Sequence, residues 1–87
     1  MVAPNLALMR VQLQYFSRLR DLDGPETADL APESTVRDLL DHLYRTVPGL
    51  QDWDKYLLVA VGLEYADRGR ILGEGETVSL MPPVQGG

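Results

Sequence analysis

Between Thr35 and Val47 the chain carries a stretch with two distinct faces. Val36, Leu39, Leu40, Leu43, Tyr44 and Val47 recur at spacings that stack on one side of an α-helix, while Arg37, Asp38, Asp41 and Arg45 take the opposite side. Thr35 followed three residues later by Asp38 is a helix-capping pattern, with Ser34 an equally good cap, and Pro48-Gly49 ends the periodicity. The spacing predicts a helix over about residues 35–47. Its apolar face is that of a helix lying on a sheet, and 87 residues supply only one core, so a single domain is expected.

Material for that sheet lies on both sides of the helix. Val11, Leu13 and Tyr15 alternate with Gln12, Gln14 and Phe16, the period of a half-buried strand. Asp23-Gly24-Pro25 signals a turn, and Glu26 to Leu30 is a short second strand that forms a hairpin with the first. Beyond a less regular stretch around Trp53, the unbroken apolar run from Tyr56 to Val61 predicts a central strand buried on both faces. Asp67 to Gly69 supplies another turn. Thr77 to Met81 alternates again as a final strand, ended by Pro82-Pro83, which have no N–H to donate. The predicted fold is α+β, a mixed sheet of four or five strands crossed by one main helix. Val11, Leu13, Val36, Leu39, Leu40, Leu43, Val59, Val61, Val78 and Leu80 form its core. Residues 1–8 read as an N-terminal extension, 9–81 as the domain and 82–87 as a C-terminal tail.

Composition narrows the chemistry. Without a cysteine there is no disulfide, thiolate nucleophile, persulfide or Cys-ligated zinc, and one histidine, His42, makes no His-pair metal site. His42 falls well away from the apolar face and is expected to be an exposed surface residue. Gly69, Gly73 and Gly75 lack the Lys-Ser/Thr of a phosphate loop, and Glu74 and Glu76 read as a solvated loop, not a metal site. No cofactor or metal is expected to be bound permanently. A net charge of −5 repels nucleic acid and anionic membranes and suits a basic partner surface. No run is long enough to span a membrane, and the opening MVAPNLAL lacks the pattern of a signal peptide, so the expected location is cytoplasmic.

The last seven residues, Met81-Pro82-Pro83-Val84-Gln85-Gly86-Gly87, are what remains. An isolated Gly-Gly is more readily a frayed end or a cloning scar. Here two prolines stiffen the exit from the last strand, and the six residues beyond Met81 reach about 20 Å. Gly86 and Gly87 have no side chains, so the terminal carboxylate can pass down a channel closed to any other residue. Adenylated, that carboxylate becomes a mixed anhydride. An amine would convert it to an isopeptide, and sulfur to a thiocarboxylate.

Leu72-x-Glu74-Gly75-Glu76-x-Val78 leading to Pro82-Pro83-Val84-x-Gly86-Gly87, with Tyr15-Phe16-Ser17-x-Leu19-Arg20-Asp21-Leu22 near the start, resembles the small-subunit family of molybdopterin synthase. The likeness runs over about residues 9–87 and implies a ubiquitin-like β-grasp sulfur carrier. It further implies that an adenylyltransferase related to ubiquitin-activating enzymes uses ATP to activate Gly87, and that a sulfurtransferase then makes the thiocarboxylate. Pro82, Pro83, Val84, Gln85 and Gly86 would thread the tail channel of the large catalytic subunit, in a heterotetramer of two small and two large subunits. There sulfur would pass to precursor Z, the cyclic pyranopterin monophosphate, during molybdenum cofactor biosynthesis. Alone, the carrier would catalyse nothing. Phe16 and Met81 are out of phase with the core residues of their strands, and the resemblance aligns them, with Tyr65, to apolar positions that face the large subunit. These three are the expected partner-binding patch. Other readings are a carrier for thiamine, cysteine or tRNA thiolation, a ubiquitin-like modifier of lysines, or a β-grasp binding module with an inert tail.

Overall fold

The alternation at the start of the chain is β1, Met9–Tyr15, whose residues from Met9 to Gln14 are alternately buried and exposed. A 3₁₀ turn over Ser17–Leu22 leads to β2, Thr27–Leu30, which pairs antiparallel with β1 and closes the expected hairpin. Then come α1, Val36–Thr46, a second 3₁₀ turn at Leu50–Trp53, and three strands: β3, Leu58–Val61, β4, Glu64–Tyr65, and β5, Thr77–Met81. These elements belong to a computed structural model that describes residues 7–83. The sheet order is β2-β1-β5-β3-β4, with β1 and β5 parallel and every other pair antiparallel. A parallel pair needs a long crossover, and α1 lies within it. The five-stranded mixed sheet with one main helix is the ubiquitin-like β-grasp arrangement.

Thr35, not Ser34, caps the helix. Its hydroxyl accepts from the Asp38 N–H at 3.2 Å, and the Asp38 carboxylate accepts from the Thr35 N–H at 2.9 Å. The next two donors find carbonyls outside the helix: Val36 N–H donates to Arg70 O and Arg37 N–H to Arg68 O, each at 2.9 Å. The first turn of α1 is therefore stitched to the segment that precedes β5, satisfying donors a helix start leaves free. All ten residues expected in the core are buried, and Val36, Leu39, Leu40 and Leu43 have no exposed surface. Leu19 and Leu50, one from each 3₁₀ turn, are equally buried and join the same core cluster.

Two expectations need correction. Tyr56–Val61 is not a central strand buried on both faces: Tyr56 is exposed, Leu57 enters the core before the strand begins, and β3 alternates with Val59 and Val61 inward. The middle position belongs to β5, between β1 and β3, where Val78, Ser79 and Leu80 are buried in succession. Secondly, His42 is half-buried, because a helical side chain leans back over the preceding turn and a boundary position is partly covered.

Glu74 and Glu76 lie in a loop, Glu74 exposed and Glu76 half-buried. Glu76 accepts from the Arg70 guanidinium at 2.8 and 3.1 Å and from the Gly73 N–H at 2.7 Å, while Glu74 accepts from the Arg10 N–H at 2.9 Å. Both carboxylates lock the turn before β5, and the described residues contain no cluster that would hold a metal ion.

Candidate functional site

With α1 covering one face of the sheet, the other is open. Pairing places Gln14 beside Ser79, Ser79 beside Ala60, and Ala60 beside Tyr65, a row that crosses β1, β5, β3 and β4. The Ser79 hydroxyl donates to Gln14 Oε1 at 3.2 Å, which pairs the one buried polar residue of β5. Ser79 and Ala60 are small, so the row dips at its centre. Around the dip stand Phe16, Met81, Leu63 and Tyr65, enclosing a groove of about 350 Å³. Phe16 is fixed beside the last strand because its N–H donates to Leu80 O at 3.0 Å. Leu63 is raised at the tip of a two-residue hairpin turn that Gly62, at φ 62, makes possible.

Phe16, Tyr65 and Met81, singled out in the sequence as a patch, thus come from three different strand ends to line one groove. Phe16 is 46% and Tyr65 73% exposed, and Met81 is half-buried. Leu63, fully exposed, belongs to the same groove and was missed; a large apolar residue following a turn glycine was its only sequence signal. Met81 also marks where the chain leaves the sheet. Pro82 and Pro83, both half-buried, line a separate concavity of about 440 Å³ with Ser17, Arg18 and Trp53. The remaining tail residues, Val84, Gln85, Gly86 and Gly87, lie outside the described residues.

Next to Trp53 in the chain, Asp54 gathers a cluster of polar side chains. Asp54 Oδ1 accepts from the Tyr44 hydroxyl at 2.5 Å and from Arg37 Nη1 at 3.3 Å, and Arg68 Nη1 lies 3.5 Å away. Arg68 also donates through Nη2 to the carbonyls of Asp54 and Leu57 at 2.9 and 3.2 Å. The Tyr44 hydrogen bond, with help from Arg37, holds the Asp54 carboxyl below the usual carboxylate range. Burial, reinforced by Asp54, pushes the Tyr44 hydroxyl up to about 12. This is a structural clamp. Its charges are spent on one another, and no nucleophile stands beside a base within it.

The geometry therefore places two concavities beside the root of the tail. The chain matches the ThiS family over residues 13–87. The molybdopterin synthase sulfur carrier subunit of Homo sapiens is 28% identical, over 92% of this chain and 97% of that protein. Its counterpart in Drosophila simulans is 33% identical, over 92% and 93%. Small archaeal modifier protein 1 of Haloferax volcanii superposes with a TM-score of 0.74 at 26% identity, covering 87% of this chain and 99% of that one. A protein–protein complex of subunits 1 and 2 of molybdopterin-converting factor from Helicobacter pylori 26695 contains a chain that superposes with a TM-score of 0.65 at 25% identity, covering 91% and 100%. With a match that leaves out only the first twelve residues and a β-grasp fold to accompany it, the chain belongs to the ThiS family.

Proposed function

We propose that the chain is the sulfur-carrier small subunit of molybdopterin synthase and that Gly87 is its reacting residue. The observation that carries this reading is the groove of Phe16, Tyr65 and Met81 at the point where β5 gives way to Pro82-Pro83. A partner seated on that groove lies next to the start of a tail whose last two residues have no side chains. The names of the relatives support the choice of partner, since they are carrier subunits of molybdopterin synthase.

In the proposed cycle the Gly87 carboxylate attacks the α-phosphorus of ATP on an adenylyltransferase related to ubiquitin-activating enzymes, releasing pyrophosphate. The terminal sulfur of a sulfurtransferase persulfide then displaces AMP, and a thiol reduces the resulting acyl disulfide, leaving a thiocarboxylate. Pro82 to Gly86 thread the channel of the large subunit, and the thiocarboxylate gives its sulfur to precursor Z. Acid–base groups and substrate contacts belong to the large subunit, so the carrier is no catalyst by itself. The heterotetramer of two small and two large subunits, and a cytoplasmic setting, complete the proposal.

The test is mass spectrometry of the chain after incubation with its activating enzyme, ATP and a sulfur source. A gain of about 16 Da at the C-terminus, for sulfur replacing oxygen, is expected. Deleting Gly87, or adding one residue after it, abolishes the gain while thermal stability stays unchanged; a deletion variant that still gained sulfur would overturn the mechanism. The likeness to a small archaeal modifier protein favours one second reading, in which a lysine amine instead of sulfur attacks the adenylate. Its signature is a ladder of isopeptide-linked conjugates that also ends with the Gly87 deletion.

A further inference from the structure

The root of the tail is flanked by two concavities that share none of their described lining residues. Met81 belongs to the apolar groove; Pro82 and Pro83 belong to the cleft with Ser17, Arg18 and Trp53. The cleft is firmly built. Trp53, the sole tryptophan of the chain, packs partly against the core, and its neighbour Asp54 is clamped by Tyr44, Arg37 and Arg68. Ser17 opens the other wall in the left-handed region at φ 57, a conformation that costs a residue with a Cβ about 1–2 kcal/mol and fixes where Arg18 emerges. Arg10, Arg37, Arg68 and Arg70 each pair with a carboxylate, whereas Arg18, Arg20, Arg45 and Lys55 meet none among the described residues, and of these four Arg18, which is exposed, is the one that lines the cleft. An aromatic plane, a stiff proline edge and a free guanidinium thus face one space in a chain whose net charge is −5.

We propose that this cleft is a second docking site for the large subunit that receives the tail. It takes an acidic side chain of that partner on Arg18 and an apolar one against Trp53 and the prolines. The occupant follows from continuity and charge. Two of the walls are the tail root itself, so a protein that encloses the glycines beyond must pass along the cleft. A chain this acidic suits a basic partner face and repels an isolated acid on it, except where an unpaired arginine waits. Such a contact fixes register: the partner grips the root from both sides, the groove supplying apolar area and the cleft a charge at one defined point.

The inference rests on the sulfur-carrier reading, and calorimetric titration of the full chain with the large subunit of molybdopterin synthase separates the two. Arg18→Glu and Trp53→Ala are each expected to weaken binding at least about five-fold, the ratio that corresponds to ~1 kcal/mol. Arg18→Glu should also flatten the salt dependence of the affinity, a change that lost packing would not produce. Trp53→Phe, which keeps an aromatic plane, guards against a variant that merely unfolds, and should retain most of the affinity. If the unaltered carrier fails to bind, the functional reading falls and the inference with it. If it binds and Arg18→Glu binds equally well, the inference alone is overturned. Tighter binding by Arg18→Glu would assign the cleft to the chain's own tail and overturn it as well.

Discussion

The Asp54 side chain ties three segments together, the end of the second 3₁₀ turn, α1 through Tyr44 and Arg37, and the turn after β4 through Arg68, and Arg68 in turn donates to the Leu57 carbonyl ahead of β3. Asp54→Ala would leave Arg37 and Arg68 without their shared anion. A loss of about 1–3 kcal/mol is expected in chemical denaturation, with a shift in Trp53 emission as its backbone neighbour is released; an unchanged midpoint would contradict the clamp. In the apolar layer the matching position is Leu43, fully buried under the sheet. Leu43→Ala should lose about 2–5 kcal/mol through the cavity it opens. Gly24 acts through close approach: a Cβ there would stand 2.6 Å from the Tyr15 hydroxyl, which donates to the Pro25 carbonyl at 2.8 Å. Gly24→Ala must move the ring and break that bond.

Elements differ in how plainly the chain announces them. α1 was legible because eleven residues give three turns of unbroken periodicity and because its capping box is spelled out by Thr35 and Asp38. Thr35→Ala removes that box and should cost about 0.5–2 kcal/mol, read as a lowered denaturation midpoint. β4 was invisible, since two residues have no period. The run before β3 misled because Tyr56 and Leu57 are apolar for different reasons, one exposed at the end of a turn and the other anchoring it in the core. Strand alternation alone separated Phe16 and Met81 from the core, and the family resemblance grouped them with Tyr65; both steps agree with the groove. The Arg18–Trp53 cleft had no such signal. It joins three distant stretches of chain, and only the turn geometry at Ser17 and Asp54 brings them to one place.

For the molecule as a whole, titration should bound stability at both ends of the pH scale. Asp54 and Glu76 are held below the usual carboxylate range by hydrogen bonds, chiefly from Tyr44 and Arg70 respectively. The stability they contribute is present above the unfolded value of about 4 and is lost as pH falls through the lowered folded values. Tyr15, by burial, and Tyr44 are pushed up to about 12. Their contribution is intact below the unfolded value of about 10 and is lost as pH rises through the folded one. Thermal melts across this range should show a plateau between the two limbs, and Tyr44→Phe should shallow the alkaline limb. The two faces of the sheet lead to the last prediction. Core contacts all lie on the face that α1 covers, while Phe16 and Met81 stand on the other beside the small residues Ala60 and Ser79. Truncating them opens no internal cavity, so the change in stability should stay within about 0.5 kcal/mol. Their apolar surface nonetheless lies beside the tail root, where exposed aromatic and methionine side chains are suited to anchoring a partner. Phe16→Ala and Met81→Ala should therefore each weaken large-subunit binding by more than about 1 kcal/mol in calorimetric titration, with melting temperatures close to that of the parent. Affinity that fell only in step with stability would instead make the open face part of the fold's support, and the groove would lose its role.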